Sequence, residues 1–390
     1  MRITDIREQT LAMSSTMRNA SIGFGGMTAS ALTLVTDVVR NGKPVVGLAY
    51  DSVGRYGHGG LLRERFIPRL LAADPDEYLD GGGANLDPFK IWAIVMRDEK
   101  PGGHGERPGA VGLIDAAVWD LVAKLEDKPL WYVLAERFGG KLNDVRVSVY
   151  ATGGHYREAD DLAHLREEVR RNAALGYQRI KIKIGGVPLA QDLRRIEAAI
   201  DVLGSGAALA VDCNGTLSKA AALDLLTALS QYGLAWVEEP VDPLDFELHK
   251  ELAQCCALPL ATGENIFSAA DTLNLIRYAG LRPDRDILQM DVSLSYGIVE
   301  YLRMLNVIES HGWSRRQCVP HAGHLLSFNV VAGLGLGGHE TSPSSNLPLM
   351  QPVQDGYVRP GNAPGVGFEQ SKNFDAIFGE LLSRRSGETA

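Results

Sequence analysis

From about residue 146 onward, short apolar or β-branched runs alternate with stretches of helical period. The runs are Val145–Tyr150, Arg179–Ile184, Ala207–Asp212, Leu234–Glu238, Pro259–Glu264, Ile287–Asp291 and Gln317–Pro320. Between them lie amphipathic stretches such as Asp192–Leu203, Lys219–Leu229 and Ile298–Ser310. Strand alternating with helix implies parallel pairing. Seven such units, with an eighth expected near residues 336–343, predict an α/β fold, a TIM-like (β/α) barrel of seven to eight strands over residues 141–341. A doubly wound open sheet also alternates, but it would not place ligands on so many consecutive strands around one centre.

The first 140 residues follow a different pattern. Val35–Val39 and Pro44–Tyr50 read as strands of a hairpin joined across Asn41-Gly42. Helical stretches follow at Leu61–Ala73, Phe89–Met96 and Val111–Leu125. Strands first and helices afterwards predict an α+β capping domain over residues 1–140. The tail, residues 342–390, is rich in Pro and Gly and too irregular to stand alone. It is expected to pack back on the capping domain.

The polar residues that close these runs carry the chemistry. Asp212, Glu238 and Glu264 each end an apolar run, in equal steps of 26 residues. One βαβ repeat takes about this length, so three acids fall at the same ends of successive parallel strands. Oxygen ligands converging from neighbouring strand ends suit a hard divalent cation such as Mg²⁺. In Arg179-Ile-Lys181-Ile-Lys183, alternate residues share a face, which places two lysines together where a barrel has its packed interior and mouth. The like charge of Lys181 is expected to lower the pKa of Lys183 toward neutrality. Asp291 and His321 close the next two strands, and a carboxylate bonded to a histidine favours the imidazolium, a competent general acid. Lysine and histidine then face a bound molecule from opposite sides, a layout suited to proton abstraction beside a carboxylate.

Composition narrows the class. The net charge is −9, with no basic block, so nucleic-acid binding has no support. No apolar span is long enough to predict a membrane helix, and the first residues lack the core of a signal peptide. Cys213, Cys255, Cys256 and Cys318 form neither a disulfide framework nor a zinc spacing, and read as reduced thiols of a cytoplasmic protein.

The set Lys181-x-Lys183, Asp212-Cys-Asn214, Glu238-Glu239-Pro240, Gly263-Glu264-Asn265, Asp291 and His321 resembles the enolase superfamily, mandelate-racemase-like branch. Within it, Arg18-Asn-Ala, Gly54-Arg-Tyr-Gly, the stretch from Asp98 to Glu106, and Gly323-His324 look like those of the D-tartrate dehydratases. Val53 departs from that pattern, where a polar asparagine is expected. The resemblance implies Mg²⁺ on Asp212, Glu238 and Glu264, with Lys183, assisted by Lys181, removing the α-proton to form an ene-diolate. His321, charged through Asp291, would then protonate the departing β-hydroxyl and so convert D-tartrate to oxaloacetate. Dehydration of another acid sugar, or racemisation by the same pair, remains open at this point. Lys100, Arg18, Arg55 and Asn214 are the candidates for contacting a small dicarboxylate or acid-sugar substrate, and a homo-oligomer is implied.

Overall fold

The structure, a computed structural model, describes residues 1–13, 18–51, 57–102, 104–343 and 348–384. Arg55 and Val53 lie outside the described residues. Three antiparallel strands, β1 (Ile3–Ala12), β2 (Thr28–Arg40) and β3 (Lys43–Tyr50), form the N-terminal sheet in the order β1-β2-β3. Asn41 and Gly42 make the β2–β3 turn with φ of 51° and 76°, the left-handed pair that a two-residue hairpin needs. Strand β1 escapes a period-two reading because its register shifts between Ile3 and Asp5. The shift lets Ile3 and Ile6, an odd number of residues apart, both be buried.

Helix Arg107–Leu125 lies between this sheet and the second unit, and it is buried almost all round. Its two aspartates serve other elements. Asp115 accepts from the backbone N–H of Ile298 at 2.6 Å, at the start of helix Ile298–Ser310. Asp120 accepts from Leu48 N on β3 and from Val366 N in the tail.

The second unit is a parallel sheet of β4 (Val147–Gly153), β5 (Ile180–Lys183), β6 (Leu209–Asp212), β7 (Val237–Glu238), β8 (Leu260–Thr262), β9 (Ile287–Leu288) and β10 (His339–Thr341), in the order β10-β4-β5-β6-β7-β8-β9. The predicted seventh run is reduced to a parallel bridge between Leu288 and Cys318. Val319 N and His321 N still donate to the carbonyls of Leu288 and Gln289, and Gly337 N donates to that of Cys318. These bonds link β9 through residues 318–321 toward β10 and bring His321 into the ring. The tail divides instead of packing wholly on the first unit. Strand β11 (Tyr357–Val358) adds antiparallel to β4, while helix Phe374–Ser383 and the following Arg384 reach the N-terminal sheet. There Arg7 holds the Leu381 carbonyl and Gln9 holds Glu380. Among the described residues no helix is long and apolar enough to cross a membrane.

His58, which opens the helical stretch after β3, is 1% exposed and lies between Asp51 Oδ1 (2.8 Å, to Nδ1) and Glu106 Oε2 (3.1 Å, to Nε2). Burial opposes its charge, but the bonds to Asp51 and then Glu106 outweigh it and lift the pKa to about 9. Because the folded value lies above that of the unfolded chain, this stabilisation is complete below about pH 6.5 and is lost as pH rises through about 9. Urea titrations should therefore show a decline of up to about 3 kcal/mol across that window. His58→Gln should flatten it; an unchanged slope in the variant would show that His58 is not its source.

Candidate active site

The functional side chains stand at the C-terminal ends of the ring's strands, and the backbone turns sharply after each. Gly185, Asn214, Glu239 and Ala322 have φ of 87°, 49°, 38° and 61°, one or two residues beyond Lys183, Asp212, Glu238 and His321. Left-handed non-glycine residues are costly and persist where the surrounding structure holds them, commonly at functional sites. Register places Lys183 beside Asp212 and Asp212 beside Glu238.

Lys183 Nζ meets Asp212 Oδ2 at 2.5 Å, while Lys181 Nζ meets Glu238 Oε1 at 2.5 Å and Asp212 Oδ2 at 3.6 Å. At the other side, His321 Nε2 lies 3.2 Å from Glu264 Oε2, and its Nδ1 lies 3.1 Å from Asp291 Oδ2. Lysine and histidine thus bracket the row of three carboxylates, one at each end. Asp291 is fixed in turn, accepting from the backbone N–H groups of Ser293 and Leu294. Glu238 also accepts from Trp236 Nε1 and Gln289 Nε2.

The electrostatics follow from this crowding. Burial, the field of Asp212 and that of Glu340 push Glu238 upward, despite Lys181. Glu239 is also raised, by burial and then by Glu264, Asp212 and Glu238. Burial works against charge on His321, yet Glu264 and the Asp291 bond raise it to about 9, so it is imidazolium at neutral pH as expected. Lys183 departs from expectation. Burial and Lys181 lower its pKa, but contact with Asp212 outweighs them and the net shift is upward. A counter-ion at hydrogen-bond distance acts more strongly than a like charge farther along the strand.

Among the described residues, no three carboxylate, imidazole or thiolate groups already converge on one point. Asp212, Glu238 and Glu264 are turned to Lys183, Lys181 and His321 instead. Their chemistry nevertheless fits a hard cation: the donors are all carboxylate oxygens at the ends of three consecutive strands, and the field of Asp212 raises the pKa of Glu238 beside it. Two buried acceptors beside the row, Asn214 Oδ1 and Gln289 Oε1, have no hydrogen-bond partner among the described residues. Each can take a hydrogen bond from cation-bound water or a substrate hydroxyl.

Residues 164–373 match the family described as Enolase C-terminal domain-like. The chain belongs to the enolase superfamily, in its mandelate racemase and muconate lactonizing enzyme-like branch. Arabinonate dehydratase of Saccharolobus solfataricus is 27% identical over 366 residues, covering 89% of this chain and 91% of that protein. L-talarate/galactarate dehydratase of Salmonella typhimurium is 29% identical, covering 92% and 86%. Among solved structures, L-talarate dehydratase from Polaromonas sp. JS666, complexed with Mg and L-glucarate, superposes with a TM-score of 0.75 at 25% identity, covering 96% of this chain and 97% of that one.

Of the superfamily residues expected from sequence, Lys181, Lys183, Asp212, Glu238, Glu264, Asp291 and His321 come together, and Asn214 adjoins them through its N–H to Asp212 Oδ1 (2.9 Å). Arg18 and Lys100 do not join them. Arg18 lines a separate cavity at the rim, described below. Lys100 is exposed, and its carbonyl is held by Arg107. His104 in the following loop does reach the ring, bonding Tyr296 and Asp271 beyond β9 and β8. Sequence reasoning missed Glu340 on β10. It is buried, bonded to Tyr150 Oη at 3.1 Å and to Lys181 at 3.4 Å. Burial would raise its pKa, but Lys181 and then His321 draw it down to about 2. Applying the strand-end rule to the eighth run would have found it.

Proposed function

We propose that this chain dehydrates an acid sugar in a Mg²⁺-dependent reaction, with Lys183 as base and His321 as acid. The observation that carries the reading is the bracketing of Asp212, Glu238 and Glu264 between Lys183 and the His321–Asp291 pair. The names of the relatives, acid-sugar dehydratases with coverage of both chains near nine-tenths, support the same class. A cation held by the three carboxylates supplies positive charge that offsets the negative charge developing at the substrate's carboxylate.

The chain's own residues do the rest. Lys183 must be neutral to accept the α-proton, and a cation held by Asp212, Glu238 and Glu264 would weaken the pull of those carboxylates on the lysine. Burial and the neighbouring Lys181 favour the neutral amine, whereas Asp212, then Glu264 and Glu238, favour the charged one. Lys181 stays charged between Glu238 and Glu340 and holds both carboxylates in place. The His321 imidazolium, held by Asp291, delivers its proton to the departing β-hydroxyl, and the enol left behind becomes a 2-keto acid.

D-Tartrate, yielding oxaloacetate, is the substrate that the sequence resemblance singles out. The named relatives act on longer acid sugars. The test is 2-keto-acid formation with Mg²⁺ from D-, L- and meso-tartrate, arabinonate, galactarate and L-talarate. Keto acid from one of them identifies the substrate. Exchange of the α-proton with D₂O and no keto acid from any of them would turn the reading to a racemase.

A further inference from the structure

A cavity of about 630 Å³ opens outside the ring, between the N-terminal segment at Arg18–Ala20 and the loops that follow β4 and β5. None of the carboxylates or lysines of the active site lines it. Its floor is a built polar structure. Arg195, 2% exposed, pairs with Asp161, donates to the Gly154 carbonyl at 2.5 Å and stacks 4.4 Å over the Tyr156 ring. Its Nε is buried without a hydrogen-bond partner. The Tyr156 hydroxyl donates to Asp192 and accepts from Gly186 N, both at 2.9 Å, so the Gly185-Gly186 N–H groups are already engaged and do not form a phosphate cradle.

Around this floor stand Arg18, Arg157 and Arg194, all exposed. Among the described residues none of the three guanidiniums has an ion pair or side-chain hydrogen bond. Three unpaired guanidiniums facing one concavity are suited to holding an oxyanion, because each presents a planar fork of donors. The opposing charge sets the class. With Arg195 and Asp161 compensating each other, the remaining three arginines face Glu158 and Asp160, an excess of one positive charge. A dianionic phosphate would be left undercompensated, whereas a monocarboxylate is matched. The acids, with Asn19 and Gln191, can accept from or bond to hydroxyl groups.

We propose that this cavity is a second binding site, distinct from the catalytic one, for a hydroxylated monocarboxylate of the aldonate kind. The choice of acid sugars over other carboxylates rests on the dehydratase reading; the anion site itself does not. A ligand there bridges the N-terminal unit, through Arg18, and the barrel, through Arg157 and Arg194. It also lies near the reaction centre. Gly186 is three residues past Lys183, a span of at most about 10 Å. Ser21, next to Ala20, donates to the Asn214 carbonyl at 2.8 Å.

The test is titration calorimetry of the full chain with D-gluconate in EDTA, which withholds the cation that the catalytic carboxylates would use. Binding is expected in the native protein. It should weaken about tenfold or more in Arg157→Ala/Arg194→Ala and recover in part in Arg157→Lys/Arg194→Lys. Both arginines are exposed, so matching thermal unfolding should accompany the loss. No binding to the native protein, equal binding in the alanine variant, or tighter binding of inorganic phosphate would each overturn the proposal. Keto-acid formation with Mg²⁺, measured separately, decides the dehydratase reading: guanidinium-dependent gluconate binding without turnover leaves the site standing and removes that reading.

Discussion

Lys183→Ala is expected to lose keto-acid formation and α-proton exchange in D₂O together, whereas His321→Asn should lose dehydration and keep exchange. The two residues stand at opposite ends of the carboxylate row, Lys183 on Asp212 and His321 on Glu264. In the proposed mechanism each acts on a different bond of the substrate. Removing a general base or acid costs about 10²–10⁴-fold, so both losses fall well outside assay error. Exchange tests the first step alone, because it requires deprotonation but not departure of the hydroxyl. Exchange at the native rate in Lys183→Ala, with none in His321→Asn, would reverse the assignment and make the histidine the base. That outcome would also imply the opposite configuration at the α-carbon.

The second large effect concerns the cation. Exhaustive chelation should abolish turnover, Mg²⁺ should restore it, and Asp212→Asn should weaken the restoration. The reason lies in the charge balance. Asp212, Glu238, Glu239 and Glu340 are buried, with half-buried Glu264 beside them; these acids face Lys181, Lys183 and His321, and burial strengthens the repulsion among the enclosed ones. A divalent cation relieves that repulsion, so binding should also stabilise the fold. At a hundred times its dissociation constant the gain is about 2.7 kcal/mol, readable as a rise in Tm on adding MgCl₂. Full activity after chelation, together with an unmoved Tm, would remove the metal from the mechanism.

How much of this was legible in the chain depended on local regularity. Helices Lys219–Leu229 and Ile298–Ser310 match their predicted bounds, because their apolar residues recur at helical spacing and face one core. Strand β1 was not legible, since its register shift breaks the period on which such a reading depends. Helix Arg107–Leu125 was predicted in part. Its burial on nearly every side was hidden because Asp115 and Asp120 read as polar positions, yet both are enclosed and bonded to backbone N–H groups distant in sequence. Arg18 and Lys100 were chosen for charge and loop position, neither of which states where a side chain points.

The equal steps from Asp212 to Glu238 to Glu264, and the pairing of two lysines on alternate residues, were determined by the sequence itself. A parallel strand-and-helix repeat converts such spacing directly into neighbouring strand ends. The direction of the Lys183 pKa, the place of Glu340 and the grouping of Arg18 with Arg157 and Arg194 were decided only by the tertiary structure. These depend on distances of a few ångströms between residues far apart in the chain, where Coulomb energy and desolvation change steeply and sequence spacing carries no information.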